Sequence, residues 1–315
     1  MTLTPFFRPL HCAIVLLFVF LGAAFGQTLP SSPNGNPWSF DSFGGGVNDM
    51  GSGTFNGFGL IQIQRSGSPG FNNFETSDYQ FANDGPNRIV STVPQVFDGI
   101  TISRQIDAIQ GGKWLRFYDT FTNSDVSSAV LEIMWGGRFT SDDGMLTVED
   151  TSSGDSTLDA ADSWMVVHPG SDGNAFANRF LGPVGLVFGN EQFDGAVSYG
   201  DFGLPWQGED QLGLVQGQFP QNILSFGDTF ATVHYLYQGQ STDPNSANPS
   251  SLTYEQEVAL AIAETQAMAA NPDFSGLTED QANLVINISP TPIPEPASAA
   301  LLLAAAGLLA LRRRK

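Results

Sequence analysis

A chain of 315 residues with 41% apolar side chains has material for one large core or two small ones. Lys and Arg number 12 against 32 Asp and Glu, a formal charge of −20, so there is no basic footprint to neutralise phosphates and the composition argues against a nucleic-acid binder. With Gly 35, Phe 25 and lysine only at Lys113 and Lys315, it reads as many short strands and turns rather than a helical bundle.

At the N-terminus, Arg8 precedes an apolar run from Ala13 to Leu21, and small residues follow at Ala23, Ala24 and Gly26. A basic start, about ten apolar residues and a small-x-small ending are the order of a secretory signal peptide cut to leave Gln27 first. A buried N-terminal helix is the competing reading. Cys12 lies before the apolar run, which argues against lipoprotein attachment, and it leaves with the signal. The remainder has no cysteine, so disulfides, thiol catalysis and thiolate metal sites drop out. Burial alone must hold this fold.

Residues 27–54 are rich in Gly, Ser, Asn and Pro, with Trp38, Phe40 and Phe43 placed to pin an irregular segment to a sheet; a flexible linker is the alternative. Strands are predicted next at Gly59–Arg65, Ile100–Ile109, Trp114–Thr120, Ala129–Trp135, Met145–Val148 and Ser163–Val167. Further strands are predicted at Val184–Phe188, Ala196–Tyr199, Leu212–Gln216 and Phe230–Tyr237. Gly111-Gly112 is a hairpin signal because both glycines accept positive φ, and Asp143-Gly144, Pro169-Gly170 and Gly227-Asp228 mark further turns. About ten short strands with no helical pattern between them before residue 250 predict an all-β, antiparallel sandwich of two sheets. Two helices then close the body. Thr253-Tyr254-Glu255-Gln256 and Thr278-Glu279-Asp280-Gln281 are capping boxes, the first opening an apolar stripe of Val258, Ala261, Ile262, Thr265 and Met268 that Asn271-Pro272 ends. The second helix is expected to run through Ile286. Both read as a helical appendage packed on the sandwich, with a partner-binding arm as the other reading.

Candidate chemistry is thin. His168 and His234 stand 66 positions apart without metal-ligand spacing. His234 falls in an apolar strand and reads as structural, while His168 before Pro169-Gly170 reads as an exposed turn residue. Residues 142–162 are acidic, and Asp142, Asp143 and Asp155 are weak Ca²⁺ candidates beside the plainer reading of solvated turn acids. A carboxylate pair, or a histidine with a tyrosine such as His234 with Tyr118, is what an enzyme would use. No Gly-x-Ser-x-Gly elbow or phosphate loop occurs, and the glycines at 51–57 miss the dinucleotide spacing by one residue. Of the five tryptophans, Trp114, Trp135 and Trp164 read as core. Trp206, in a Gly-Pro turn, is the loop-borne candidate for carbohydrate contact.

The C-terminus runs from a spacer with Pro290, Pro292, Pro294 and Pro296 into an apolar stretch at 297–311, then Arg312, Arg313, Arg314 and Lys315. Fifteen helical residues reach about 22 Å, short of the hydrocarbon core of about 30 Å, so the stretch is a marginal span whose basic end resists translocation. Pro294-Glu295-Pro296, the apolar helix and the basic cluster together resemble the bacterial PEP-CTERM sorting signal, also catalogued as the "ice-binding protein C-terminal domain". That resemblance implies an exosortase-like transpeptidase as partner, a cut near Pro294-Glu295-Pro296 and delivery to the envelope or extracellular matrix. An ordinary tail anchor is the rival reading. Residues 114–123, Gly136-Gly137, Ser153-Gly154-Asp155 and Ala161-Asp162-Ser163-Trp164 are similar in order to β-sandwich modules of large secreted bacterial proteins, some resembling galactose-mutarotase-type supersandwiches.

The organisation expected is a signal peptide at 1–26, a sandwich at 27–250, helices at 251–289 and a sorting signal at 290–315. Residues 27–290 carry 7 basic against 31 acidic residues, a charge of −24 that favours solubility. The function expected is an exported, envelope-sorted surface protein with a structural or interaction role, carried by Sec-type export and without identifiable catalysis. A carbohydrate-binding or carbohydrate-active sandwich acting on extracellular polysaccharide is the alternative.

Overall fold

Turn-separated strands of this composition have to pair edge to edge, and they do so in two antiparallel sheets. The structure, a computed structural model, describes residues 27–31, 37–40, 46–49, 55–65, 72–73, 80–139, 146–159, 162–169, 182–189, 211–216, 224–242, 244 and 248–289. Among these residues one sheet has seven strands: β1 (Gln27–Ser31), β2 (Pro37–Phe40), β3 (Val47–Asp49), β4 (Phe55–Arg65), β5 (Asn72–Asn73), β11 (Leu131–Phe139) and β15 (Gln211–Gln216). Its order is β1-β2-β3-β4-β11-β15, with β5 beside β4. The other has nine: β6 (Phe81–Asn83), β7 (Arg88–Ser91), β8 (Gln95–Phe97), β9 (Ile100–Ile109), β10 (Trp114–Asn123), β12 (Leu146–Thr151), β13 (Trp164–Pro169), β14 (Val184–Val187) and β16 (Thr229–Gln238). Its order is β12-β13-β14-β16-β10-β9-β7-β6, with β8 beside β9.

The sheets face each other across one apolar core. Ile102 and Ile106 on β9, Phe117 and Phe121 on β10 and Leu236 on β16 meet Phe58, Ile63, Trp135 and Phe139 of the smaller sheet. Phe117 and Trp135 pack edge to face at 5.8 Å, and Phe58 and Phe139 lie 4.5 Å apart, a geometry that adds to the burial of each ring. At Gly59 the φ of +89° and the closeness of Phe117, 2.6 Å from where a Cβ would stand, leave room only for glycine. That close approach brings the backbone of β4 against the larger sheet.

The outer face of the nine-stranded sheet is buried too. Helix α1 (Tyr254–Ala270) and the short α2 (Glu279–Asn283) lie over Trp114, Tyr118, Val233, Tyr235 and Tyr237, forming a second apolar cluster with Ala261, Met268, Val285 and Ile288. Central strands covered on both sides need apolar residues at nearly every position, which is why Thr229–Gln238 lacks strict alternation. Both capping boxes form: Thr253 accepts from Gln256 N and Thr278 from Gln281 N, with each glutamine side chain reaching back to its cap. The second helix stops at Asn283, short of the expected Ile286, because the chain turns there to pair with β16, Val285 bridging Ala231.

Residues 27–49 differ from the irregular segment expected. They carry three strands, with Trp38 and Phe40 buried and Trp38 Nε1 donating to Gly112 O at 2.7 Å across to the β9–β10 turn. That turn is the predicted hairpin, with φ of +51°, +74° and +92° at Gln110, Gly111 and Gly112. His168 is also a correction. It is buried on β13, because the strand extends through Pro169 and the ring of Tyr254 from the first turn of α1 closes over it at 4.8 Å.

Candidate ligand-binding cleft

Strand register places five charged groups of β7, β9 and β10 directly opposite one another. On the inner face Arg104 of β9 faces Asp119 of β10; on the outer face Asp107 of β9 faces Arg116 of β10 on one side and Arg88 of β7 on the other. Cross-strand neighbours of opposite charge bind each other, and burial makes that pairing obligatory.

The inner pair is sealed. Arg104 Nε and Nη2 donate to the two oxygens of Asp119 at 2.6 and 3.1 Å, Nη1 donates to Gly59 O at 2.7 Å, and the guanidinium lies 5.3 Å from the centre of the Phe117 ring. Nearby, His234 stacks on Trp135 at 4.5 Å with an interplanar angle of 8°. Complete burial, with the charge of Arg104 adding to it, holds this imidazole well below its ordinary pKa. The folded state therefore takes up that proton less readily than the unfolded chain. Stability is fully present above the ordinary histidine value of about 6.5 and falls as pH drops below it, by up to about 1.4 kcal/mol per pH unit. Urea midpoints followed between about pH 6.5 and 5 should show this slope, and His234→Phe, which keeps the stack, should flatten it; an unchanged slope would assign it elsewhere.

The outer cluster borders open space. Asp107 Oδ2 accepts from Arg116 Nη2 at 2.7 Å, Arg116 Nε at 3.2 Å and Gln105 Nε2 at 2.8 Å, while Oδ1 accepts from Arg88 Nε at 2.5 Å. The loop following α1 closes over these groups: Asp273 O accepts from Arg116 Nη1 at 2.8 Å, and Gly276 O from Arg88 Nη2 at 2.8 Å. Gly276 has φ +78°, and a Cβ there would stand 3.2 Å from Arg88 Nη2, so glycine lets the loop lie on the guanidiniums. Between this loop, residues 84–88 and the 110–111 turn is a cleft of about 370 Å³ with Arg88, Asp107 and Arg116 in its wall. Arg88 Nη1 meets only Asp84 among the described residues, at 3.9 Å, beyond hydrogen-bond range.

Sequence reasoning missed this cleft, since Arg88, Asp107 and Arg116 are scattered in sequence and only antiparallel register collects them. The residues it did single out lie elsewhere. Trp206, Asp142 and Asp143 fall outside the described residues, as do Ala24, Gly26, Pro294, Glu295, Pro296 and Arg312 to Lys315. Asp155 is exposed and accepts from Thr157 N at 2.8 Å, and Asp162 is buried, accepting from Ser153 N and Asp159 N at 2.9 Å. Those bonds hold the Asp162 carboxyl below its ordinary pKa against the burial that lifts it. Among the described residues no group of three or more His, Cys, Asp or Glu is placed to hold a metal ion. His234 and Tyr118 cannot meet as an acid–base pair: His234 faces Trp135 between the sheets, while the Tyr118 hydroxyl donates to Gln281 O at 3.2 Å on the opposite face. Burial of Tyr118, with the charge of Asp119 adding, pushes its pKa up to about 12.

Residues 292–315 match the family described as the PEP-CTERM protein-sorting motif. That motif marks an exported protein, anchored transiently at the membrane by its C-terminal tail before processing by an exosortase. No helix among the described residues is long and apolar enough to cross a membrane, and the apolar stretch at 297–311 lies outside them. No curated protein matches the chain. Among solved structures it is weakly similar to a galactose mutarotase-related enzyme from Lactobacillus acidophilus, at 9% identity and a TM-score of 0.39, covering 70% of this chain and 99% of that one. It is similarly related to a galactose mutarotase-like protein from Lactobacillus casei, at 12% identity and a TM-score of 0.41, covering 67% and 99%. Likeness of this degree assigns the chain no substrate.

Proposed function

We propose that the exported body is an interaction module of the cell surface, which binds matrix polysaccharide through the cleft on its larger sheet and does not turn it over. Sec-type export behind the signal peptide brings it across the membrane, and the tail is cut near Pro294-Glu295-Pro296. One observation carries the non-catalytic part. Asp107, the buried carboxylate of the cleft, is held between two guanidiniums and an amide, with both its oxygens engaged. A carboxylate so committed is poorly placed to act on a substrate, because freeing either oxygen would break charge-assisted bonds worth about 1.5–3 kcal/mol each. What the wall offers is a fixed array of donors and acceptors, the equipment of recognition.

The test incubates the purified full-length chain with surface polysaccharide from its host. Co-sedimentation without release of reducing ends is expected, and release at enzyme-like rates would sink the proposal. The intact mass of the host-derived protein should begin at Gln27 and end near Pro294-Glu295-Pro296; a mass retaining both ends would remove the export route.

A further inference from the structure

We infer that the cleft is selective for a carboxylated sugar, seated with its carboxylate on Arg88 Nη1 and its hydroxyls on Asn87, Gln110 and Ser275. This inference rests on the reading of the body as a binding module and names the ligand class.

Charge points to the carboxylate. Arg88 and Arg116 share Asp107, so this trio carries one net positive charge, in a body whose total is −24. Asp84 balances it only loosely, standing 3.9 Å away with its side chain 63% exposed, and an exposed pair of that kind contributes about 0–1 kcal/mol. A ligand carboxylate at hydrogen-bond distance from Nη1 gains a charge-assisted bond that Asp84 does not make. The guanidinium is already oriented: its Nε is tied to Asp107 and its Nη2 to Gly276 O, so binding freezes little further motion.

Chemistry of the rim points to the hydroxyls. Asn87, Gln110, Ser275 and the backbone at Gly111 line the cleft beside Arg88, a set of neutral donors and acceptors suited to a polyhydroxylated molecule. The volume of about 370 Å³ lies near the lower end of small-molecule sites, about 300–1,000 Å³, so it suits a short saccharide segment.

The experiment titrates the full-length chain with glucuronate, glucose and acetate by calorimetry. Glucuronate should bind more tightly than either control. Arg88→Gln should weaken it about tenfold or more, the weight of one charge-assisted bond. Asp84→Asn, a change at an exposed side chain that removes the competing carboxylate, should tighten it and serves where Arg88→Gln perturbs folding. Acetate binding as tightly as glucuronate would overturn the sugar half, and glucose binding as tightly would overturn the carboxylate half. If no probe binds, or Asp84→Asn weakens glucuronate, while the chain still sediments with host polysaccharide, the selectivity falls and the interaction module stands.

Discussion

Asp119→Ala should be among the most damaging single substitutions in the body, lowering stability by about 3–5 kcal/mol and the melting temperature by about 10 °C or more. Asp119 is fully buried, and its removal takes both carboxylate oxygens away from the Arg104 guanidinium inside the sandwich, where Gly59 O and the Phe117 ring stay beside it. An interior cation that loses its carboxylate counter-charge is strongly destabilising. Replacing both partners, Arg104→Met with Asp119→Leu, removes the charge and its counter-charge together and should recover most of the loss. Thermal and urea unfolding of the two variants decides the matter. If Asp119→Ala and the double variant were equally destabilised, the damage would lie in packing and not in electrostatics.

The second large effect concerns the segment that leads to the sorting tail. Asn287, fully buried, donates through Nδ2 to Phe188 O at 2.8 Å and Val233 O at 2.6 Å, and its Oδ1 accepts from Val233 N at 2.9 Å. One side chain thus satisfies three backbone groups on β16 and beside β14. Asn287→Ala takes this partner from all three, at about 1–3 kcal/mol each, so a loss of at least about 3 kcal/mol is expected. It should be local first. The bonds Ala231 N to Leu284 O and Ile286 N to Ala231 O, at 2.7 and 3.1 Å, lose their neighbour and open, while the β9–β10 ladder keeps its own. Hydrogen exchange reads this directly as lost protection at Ala231, Val233 and Ile286. Uniform loss across the sheet would instead mean that residues 284–288 unfold only with the whole body. The match to the sorting motif begins at residue 292, four residues beyond this strap.

Much of the sheet body was legible. The spacing of Ile100–Ile109 and Trp114–Thr120 around Gly111-Gly112 is met by β9, β10 and their turn, and the two capping boxes form at Thr253 and Thr278. These are local signals, settled within a few residues by turn chemistry and cap geometry, so they survive into any fold that contains them. The strands at 27–49 were not legible, because Gly, Ser, Asn and Pro give them no propensity; they exist because Trp38 and Phe40 have a core to enter. His168 was misjudged for the same kind of reason. Its neighbours Pro169-Gly170 speak of a turn, and only the arrival of Tyr254, far along the chain, buries it.

The cleft was illegible altogether. Nothing in the spacing of Arg88, Asp107 and Arg116 distinguishes them from surface charges, and their pairing depends on which residues antiparallel register sets opposite each other. Sliding β9 by one residue would turn Asp107 toward the core and Arg104 toward the helices.

What the amino-acid sequence determined alone was therefore the destination and the building material: a C-terminal sorting motif, an acidic composition, short strands and two capped helices. What the tertiary structure decided was which charges meet, which face of the larger sheet the helices cover and where an opening is left. The division has a physical cause. Signals, caps and turns are read from neighbours in sequence, whereas ion pairs and clefts form between residues that become neighbours only after the sheets have closed.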